Sequence, residues 1–194
     1  FIINASFVIL TTVVFHRPLL SSLLAFIYVE SGWKYYELPV PDYETGFMLA
    51  QTGFMLDSRN YGANYLSGHY YYEKKDYKTG LEYFIRASLL NPENCIVMYN
   101  IGYGYEMTGQ NEKAIMEYEK LISKDPTNLE TLARVGGACE RLGDKPRLFW
   151  NSYHYAILAD DEEKKISAVD YVTNILEERP ELLELSPGRP LGFG

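Results

Sequence analysis

Two consecutive stretches of this chain repeat one another at a fixed spacing, and no other feature of the sequence limits the fold so tightly. YGANYLSGHYYYEKKDYKTGLEYFIRASLLNPEN (61–94) is followed by CIVMYNIGYGYEMTGQNEKAIMEYEKLISKDPTN (95–128), each 34 residues long, with NPEN and DPTN closing the blocks in the same register. Gly68, Tyr71, Gly80, Phe84, Ala87 and Pro92 of the first block are matched by Gly102, Tyr105, Ala114, Tyr118, Leu121 and Pro126 of the second. Polar KKDYK and TGQNE interrupt the blocks, and Asn-Pro or Asp-Pro ends them. Each block therefore reads as two helices of about twelve to fifteen residues joined by a turn. Small residues let the two helices approach, and the aromatics fill the space beyond the contact. Such a hairpin buries one face on itself and needs neighbours to bury the rest, so the units are expected to stack around one core.

A third block, 129–162, keeps Leu132, Val135, Gly136 and Cys139 on its first helix. Its second helix is expected to be offset: Phe149, Tyr153 and Ala156 recover the aromatic and small spacing if one residue is inserted around GDKPR. Residues 163–185 read as an amphipathic capping helix, with Ile166, Val169, Val172 and Ile175 on its apolar face and Pro180 as its stop. SPGRPLGFG, 186–194, reads as a flexible or partner-bound tail. Ahead of the repeats, 30–60 reads as an aromatic linker and degenerate helical unit. There TGFML recurs at 45–49 and 52–56, aligning Phe47 with Phe54 and forming a stripe of Gly46, Ala50 and Gly53.

These residues resemble the tetratricopeptide repeat (TPR) family, whose pattern is a bulky residue, Leu-Gly, Tyr, then Ala, Phe, Ala and Pro over one such period. The resemblance covers 61–162, with a degenerate leading repeat at 27–60 in which Ala50 replaces the expected aromatic. It implies an all-α superhelix of helical hairpins, a solenoid whose inner surface is lined by the first helices and receives an extended peptide or a partner helix. Carried onto this chain, the partner-binding positions are Tyr65, His69, Tyr72 and Glu73, then Tyr99, Tyr103, Glu106 and Met107, then Ala133, Gly137, Glu140 and Arg141. Tyrosine suits such a surface because it offers rigid contact area and a hydroxyl, although the same rings serve equally well in packing between repeats. Family members that grip an acidic C-terminal tail use a basic and asparagine clamp. Tyr65, His69, Tyr99 and Tyr103 stand at the corresponding positions here, so that subtype is disfavoured. Glu73, Glu106 and Glu140 favour a basic and apolar partner segment.

The front of the chain differs sharply from this body. Phe1 to Val29 holds no acidic residue and only Arg17 as a fixed positive charge. FIINASFVILTTVVF and PLLSSLLAFIYV are each too short to cross a bilayer, but together they reach about 43 Å as one helix, enough if His16, Arg17 and Pro18 form a kink. Residues 1–29 are expected to be a membrane-associated, transmembrane helix or kinked helix in contact with lipid, single-pass or peripheral. The alternative is an apolar helix pair packed on the body. A charge such as Arg17 costs at least about 2.5 to 3.5 kcal/mol at mid-membrane, which points to contact with another membrane subunit. Trp33, Tyr35 and Tyr36 suit an interfacial belt or an ordinary core. The chain opens without Met and is expected to be incomplete or processed, so the side of the membrane is left unassigned.

A formal charge of −8 and a pI near 4.9 argue against nucleic acid, since a backbone binder needs a basic stripe. Cys95 and Cys139 lie apart in two repeats and the three histidines are scattered, so no metal framework is expected. GYGYEMTG lacks the Lys and Ser or Thr of a phosphate loop, and the acids at 160–163 suit a helix start. His154 near Ser152 makes no catalytic set. The sequence thus leads to a non-catalytic, cofactor-free scaffold: a membrane-anchored subunit that assembles a larger protein complex. A soluble TPR adaptor binding a peptide or helix is one alternative; an accessory or regulatory subunit of a membrane enzyme is another.

Overall fold

The repeat is written into the helix ends as firmly as into the core. A computed structural model describes residues 2–183, with side chains for 18–182. Among the described residues the elements are α1 (Ile2–Tyr36), α2 (Tyr43–Leu56), α3 (Tyr61–Glu73), α4 (Tyr77–Leu90), α5 (Cys95–Met107), α6 (Asn111–Lys124), α7 (Leu129–Leu142), α8 (Lys145–Leu158) and α9 (Glu162–Glu178), followed by a 3-10 turn (Pro180–Leu183). Asn60, Asn94 and Asn128 cap α3, α5 and α7 by accepting backbone N–H groups of Ala63, Val97 and Thr131 at 3.0, 3.1 and 2.9 Å. Asp42, Asp76 and Asp144 cap α2, α4 and α8 in the same way through Thr45, Thr79 and Arg147 at 3.0, 3.2 and 3.1 Å. Between the helices of a hairpin the chain turns through a left-handed residue at Lys75, Gly109 and Gly143, with φ of 61°, 76° and 69°.

The chain divides into two units, Phe1–Glu93 and Asn94–Gly194. In the first, α2 packs on both α1 and α3, and α3 pairs with α4. The α1–α2 joint is a close approach of backbones: a Cβ on Gly32 would lie 2.9 Å from the Gly46 carbonyl oxygen, and one on Gly53 would lie 2.7 Å from Val29. The Tyr36 ring covers Gly46 at 2.4 Å from where its Cβ would stand, and Tyr72 covers Gly80 at 2.3 Å in the α3–α4 hairpin. Val29, Ala50, Ala63 and Leu66 form the core around this joint. The small stripe read at Gly46, Ala50 and Gly53 is accordingly buried.

One expectation for the front is modified. Residues 30–36 are not linker: α1 continues through Glu30 to Tyr36 because Gly32, Trp33 and Tyr36 are held against α2 and α3, and the connection to α2 is only 37–42. The backbone stays helical through Pro18, so the two apolar arms belong to one helix and not to a helix pair. Among the described residues no helix is long and apolar enough to cross a membrane. The membrane expectation falls largely on residues 1–17, which lie outside the described side chains, as the tail at 186–194 lies outside the described residues. Within α1, Leu19, Leu20, Leu23 and Phe26 are all more than half exposed, whereas Ala25 and Val29 are buried against α2.

In the second unit α5 to α9 pack consecutively around Ile115, Tyr118, Ile122, Leu132, Val135, Cys139 and Phe149. Burial pushes the Cys139 thiol up to about 12, so it behaves as a small apolar residue. The expected insertion near GDKPR is absent. Gly143 and Asp144 follow Gly109 and Gln110 by one whole period, and α8 starts one period after α6. In that register Ser152, and neither Phe149 nor Tyr153, stands where Phe84 and Tyr118 stand. The apolar face of α9 is shorter than expected: Ile175 is buried and Val172 half-buried, but Ile166 and Val169 are about half exposed. Only the second half of α9, with Tyr171, Val172 and Leu176, reaches the core.

Gly102 tests the close-approach principle, since a Cβ there would lie 2.5 Å from the Tyr118 ring. Gly102→Leu is expected to lower unfolding stability by about 1 to 3 kcal/mol through overpacking, read from a urea midpoint. An unchanged midpoint would contradict the packing.

Candidate protein-interaction surface

The first helices of the hairpins carry the residues singled out from sequence, and the structure sorts them into packing and surface groups. In the first unit, Tyr65 is only 8% exposed, with Trp33, Phe84 and His69 around it at centroid distances of 5.2, 5.6 and 5.0 Å. It is a core residue, so the expectation that it contacts a partner is replaced. Tyr72 is half-buried, lying over Gly80 and edge-on to Phe84 at 4.9 Å. Glu73 is exposed. His69 is half-buried, with Nε2 3.2 Å from the Tyr65 hydroxyl. Burial holds its pKa below the ordinary value, against an opposing pull from Glu73. Beside it, Tyr36 donates to the Leu66 carbonyl at 2.7 Å, and burial raises its pKa.

In the second unit the expected Tyr99, Tyr103, Glu106 and Arg141 are brought together by a residue the sequence reading did not name, Arg134. Its Nε donates to the Tyr99 hydroxyl at 2.7 Å and its Nη1 to Glu106 at 3.2 Å. Its guanidinium lies over the Tyr103 and Tyr99 rings at 4.8 and 5.4 Å from their centroids. The Tyr99 hydroxyl donates to Glu130. Glu106 also accepts from Arg141 Nη2 at 2.9 Å and from the Tyr118 hydroxyl at 3.0 Å, while Arg141 Nε donates to Asn111 at 2.9 Å. Burial and the Glu106 charge together raise the Tyr118 pKa. Met107, Ala133 and Glu140 are exposed and Gly137 is half-buried.

This network changes the electrostatic expectation. Glu106 is engaged by two guanidinium groups, so the face of α5 and α7 is a charge-balanced, aromatic and arginine-bearing surface rather than an acidic one. Tyr and Arg are the residue types that concentrate binding energy at protein interfaces, because each joins a flat apolar area to directed hydrogen bonds. The signal for Arg134 was present in the spacing Glu130, Arg134, Arg141, which places all three along one side of a helix. Among the described residues no group of three or more His, Cys, Asp or Glu could hold a metal ion.

The hairpin geometry, the glycine contacts and the periodic caps define an all-helical repeat fold like that of TPR proteins. The tetratricopeptide repeat pattern matches residues 61–94 and 97–128, which supports assigning these two repeats to that family. Tetratricopeptide repeat protein 37 of Xenopus laevis is 28% identical over 116 residues, which are 60% of this chain and 7% of that protein. The chain thus spans a small fraction of that relative. Two crystal forms of MamA AMB-1 align with TM-scores of 0.66 and 0.67 at 19% identity, covering 84% of this chain and 94% and 92% of theirs. MamA MSR-1 aligns with a TM-score of 0.65 at 18% identity, covering 84% and 91%. At such identities the likeness is one of fold.

Two measurements check the site. Glu106→Ala leaves Arg134, Arg141 and the Tyr118 hydroxyl without their shared acceptor, and is expected to cost about 1.5 to 3 kcal/mol in a denaturant titration; a loss below about 0.5 kcal/mol would mean the network is not formed. His69 is held neutral by burial, so its contribution is present above its unfolded pKa of about 6.5 and lost as pH falls below it. His154, also lowered by burial, acts in the same direction. Thermal stability should therefore fall from pH 7.5 to 5.5, and His69→Gln should flatten that fall in part; an unaltered slope would refute the assignment.

Proposed function

We propose that this chain is a non-catalytic scaffold that binds other protein subunits through the faces of its first helices and is held at a membrane by α1, as a subunit that assembles or stabilises a larger complex. The observation that carries this reading is the division of α1. Its later half is locked by Gly32, Val29 and Tyr36 into the repeat body, while Leu19, Leu20, Leu23 and Phe26 stay more than half exposed. An apolar helix face of this kind marks a lipid or protein contact. In sequence the run extends back through residues without an acidic group to Phe1, which supports lipid contact within 1–29 and a membrane protein among the partners. The Tyr99, Tyr103, Arg134 and Glu106 surface supports protein recognition, because it presents rings and guanidinium groups already fixed in place.

A second reading is a soluble adaptor whose α1 face is covered by a partner protein. It is favoured by the lack, among the described residues, of a helix able to cross a membrane. An accessory subunit of a membrane enzyme would use the same surfaces.

Fractionation distinguishes these readings. The protein is expected in the membrane fraction, releasing stable partners only with mild detergent, whereas a variant carrying Leu19→Ser, Leu23→Ser and Phe26→Ser should move to the soluble extract. Recovery of the unaltered protein and the same partners without detergent would overturn membrane anchoring and leave the soluble adaptor. Absence of any stable partner in both extracts would overturn the scaffold reading.

A further inference from the structure

The third hairpin contains a space that the other two fill. In α3–α4, the Phe84 ring lies 2.9 to 3.0 Å from where a Gly68 Cβ would stand, and in α5–α6 the Tyr118 ring lies 2.5 to 3.0 Å from that of Gly102. One period on, Gly136 keeps the glycine but Ser152 replaces the ring. The nearest atoms to a Gly136 Cβ are Asn151 Nδ2 at 3.1 Å and Leu148 Cδ1 at 4.0 Å. An open cavity of about 590 Å³ results, lined by Gly136, Leu148, Asn151, Ser152 and Tyr155 with α9 residues Ser167 and Tyr171. The leading pair is different: Ala50 stands at the ring position there, yet it is fully buried beside Val29 and Leu66.

Two further observations point to an occupant. Asn151 is 2% exposed and donates through Nδ2 to the Leu132 carbonyl at 2.8 Å, while its Oδ1 has no partner among the described residues. A buried amide oxygen without a donor is unfavourable, and an incoming N–H group relieves it. Glu140, which lines the same cavity, stands one period after Glu106, the carboxylate that accepts the Tyr118 hydroxyl at 3.0 Å; it receives only a long 3.5 Å bond from the Tyr171 hydroxyl, on Oε1, and a carboxylate can accept a further donor. The mouth also carries Asp161 and Glu163 against Lys164, an acidic excess.

We propose that this cavity between α7, α8 and α9 is a docking site for a tyrosine side chain of a partner protein, flanked in the partner by basic residues, with a backbone N–H of the partner segment donating to Asn151 Oδ1 and the phenol hydroxyl donating to Glu140. The partner's ring takes the place that Tyr118 takes over Gly102, and the acidic mouth receives the flanking lysine or arginine. The inference rests on the scaffold reading above and specifies the chemistry of one of its contacts.

The test uses the full chain and three probes, acetylated and amidated tripeptides of sequence Lys-Tyr-Lys, Lys-Phe-Lys and Lys-Ala-Lys, followed through the amide NMR signals of Gly136 and Ser152. The tyrosine probe is expected to shift these signals saturably and to bind about fivefold more tightly than the phenylalanine probe, with no saturable shift from the alanine probe. Ser152→Phe, which supplies the missing ring internally, should abolish the shifts and raise the melting temperature. Glu140→Gln, at an exposed position, should leave the fold intact and remove the preference for tyrosine over phenylalanine. No saturable shift with the tyrosine probe, or equal shifts from the alanine probe, would overturn the site. Equal binding of tyrosine and phenylalanine would overturn the role of Glu140. Each of these failures leaves partner recovery in the fractionation experiment unaffected, so it is distinguishable from failure of the scaffold reading.

Discussion

Everything in this fold depends on how closely two helix backbones can approach when the residue between them has no side chain. Gly32 against Gly46, and Gly80 against Gly68, bring the paired helices so close that a Cβ on Gly32 or on Gly80 would lie 2.9 Å from the facing carbonyl oxygen. An aromatic ring is then laid across the bare backbone: Tyr36 over Gly46, Tyr72 over Gly80, Phe84 over Gly68, Tyr118 over Gly102. Glycine weakens a helix by itself, but the ring and backbone contact it permits outweighs that cost. The ring also brings a polar tip. Tyr36 and Tyr118 place their hydroxyls on a backbone carbonyl and on Glu106, so the packing device and the polar surface are parts of one arrangement.

From that arrangement the surface of the second unit follows. Glu106, fixed by Tyr118 from below, gathers Arg134 and Arg141, and Arg134 spreads over Tyr99 and Tyr103. Side chains that would be mobile in isolation are held before any partner arrives, which lowers the entropy lost on binding. The first unit uses its aromatics differently. Tyr65, Trp33, His69 and Phe84 pack on one another, Phe47 stacks on Tyr70 at 3.9 Å, and Tyr71 stacks on Tyr83.

The hairpins, their helix boundaries and the small-residue contacts were legible in the sequence because all three recur with a fixed period. Individual side chains were less so. Tyr65 and Tyr99 occupy matching positions, yet Trp33 and Phe84 enclose the first, while the second turns its hydroxyl to Glu130 and Arg134. Which fate a tyrosine meets depends on the neighbouring helix, a fact the local pattern does not carry. The third hairpin misled for a related reason. Aromatic residues at Phe149 and Tyr153 invite an insertion that would put a ring in the expected place, but the left-handed turn at Gly143 and the cap at Asp144 hold the register and leave Ser152 there. Turn and cap geometry outweighed the hydrophobic pattern. Residues 30–36 were hard to assign because Trp33 and Tyr36 suit an interface or a core equally well; their packing with Gly32 makes them core.

The capping residues have a consequence for how such a chain changes over evolutionary time. Because Asn60, Asn94 and Asn128 each bond an amide three residues ahead, and the turns at Lys75, Gly109 and Gly143 are equally local, each hairpin carries its own start, bend and stop within one period. Duplication or loss of a whole period imports or removes a complete set of boundaries, whereas gain or loss of one residue inside a helix shifts its buried face away from the core. Length in this architecture is therefore expected to vary in units of a hairpin, while sequence between the fixed points can differ from one hairpin to the next, as Ala50, Phe84, Tyr118 and Ser152 do at one position.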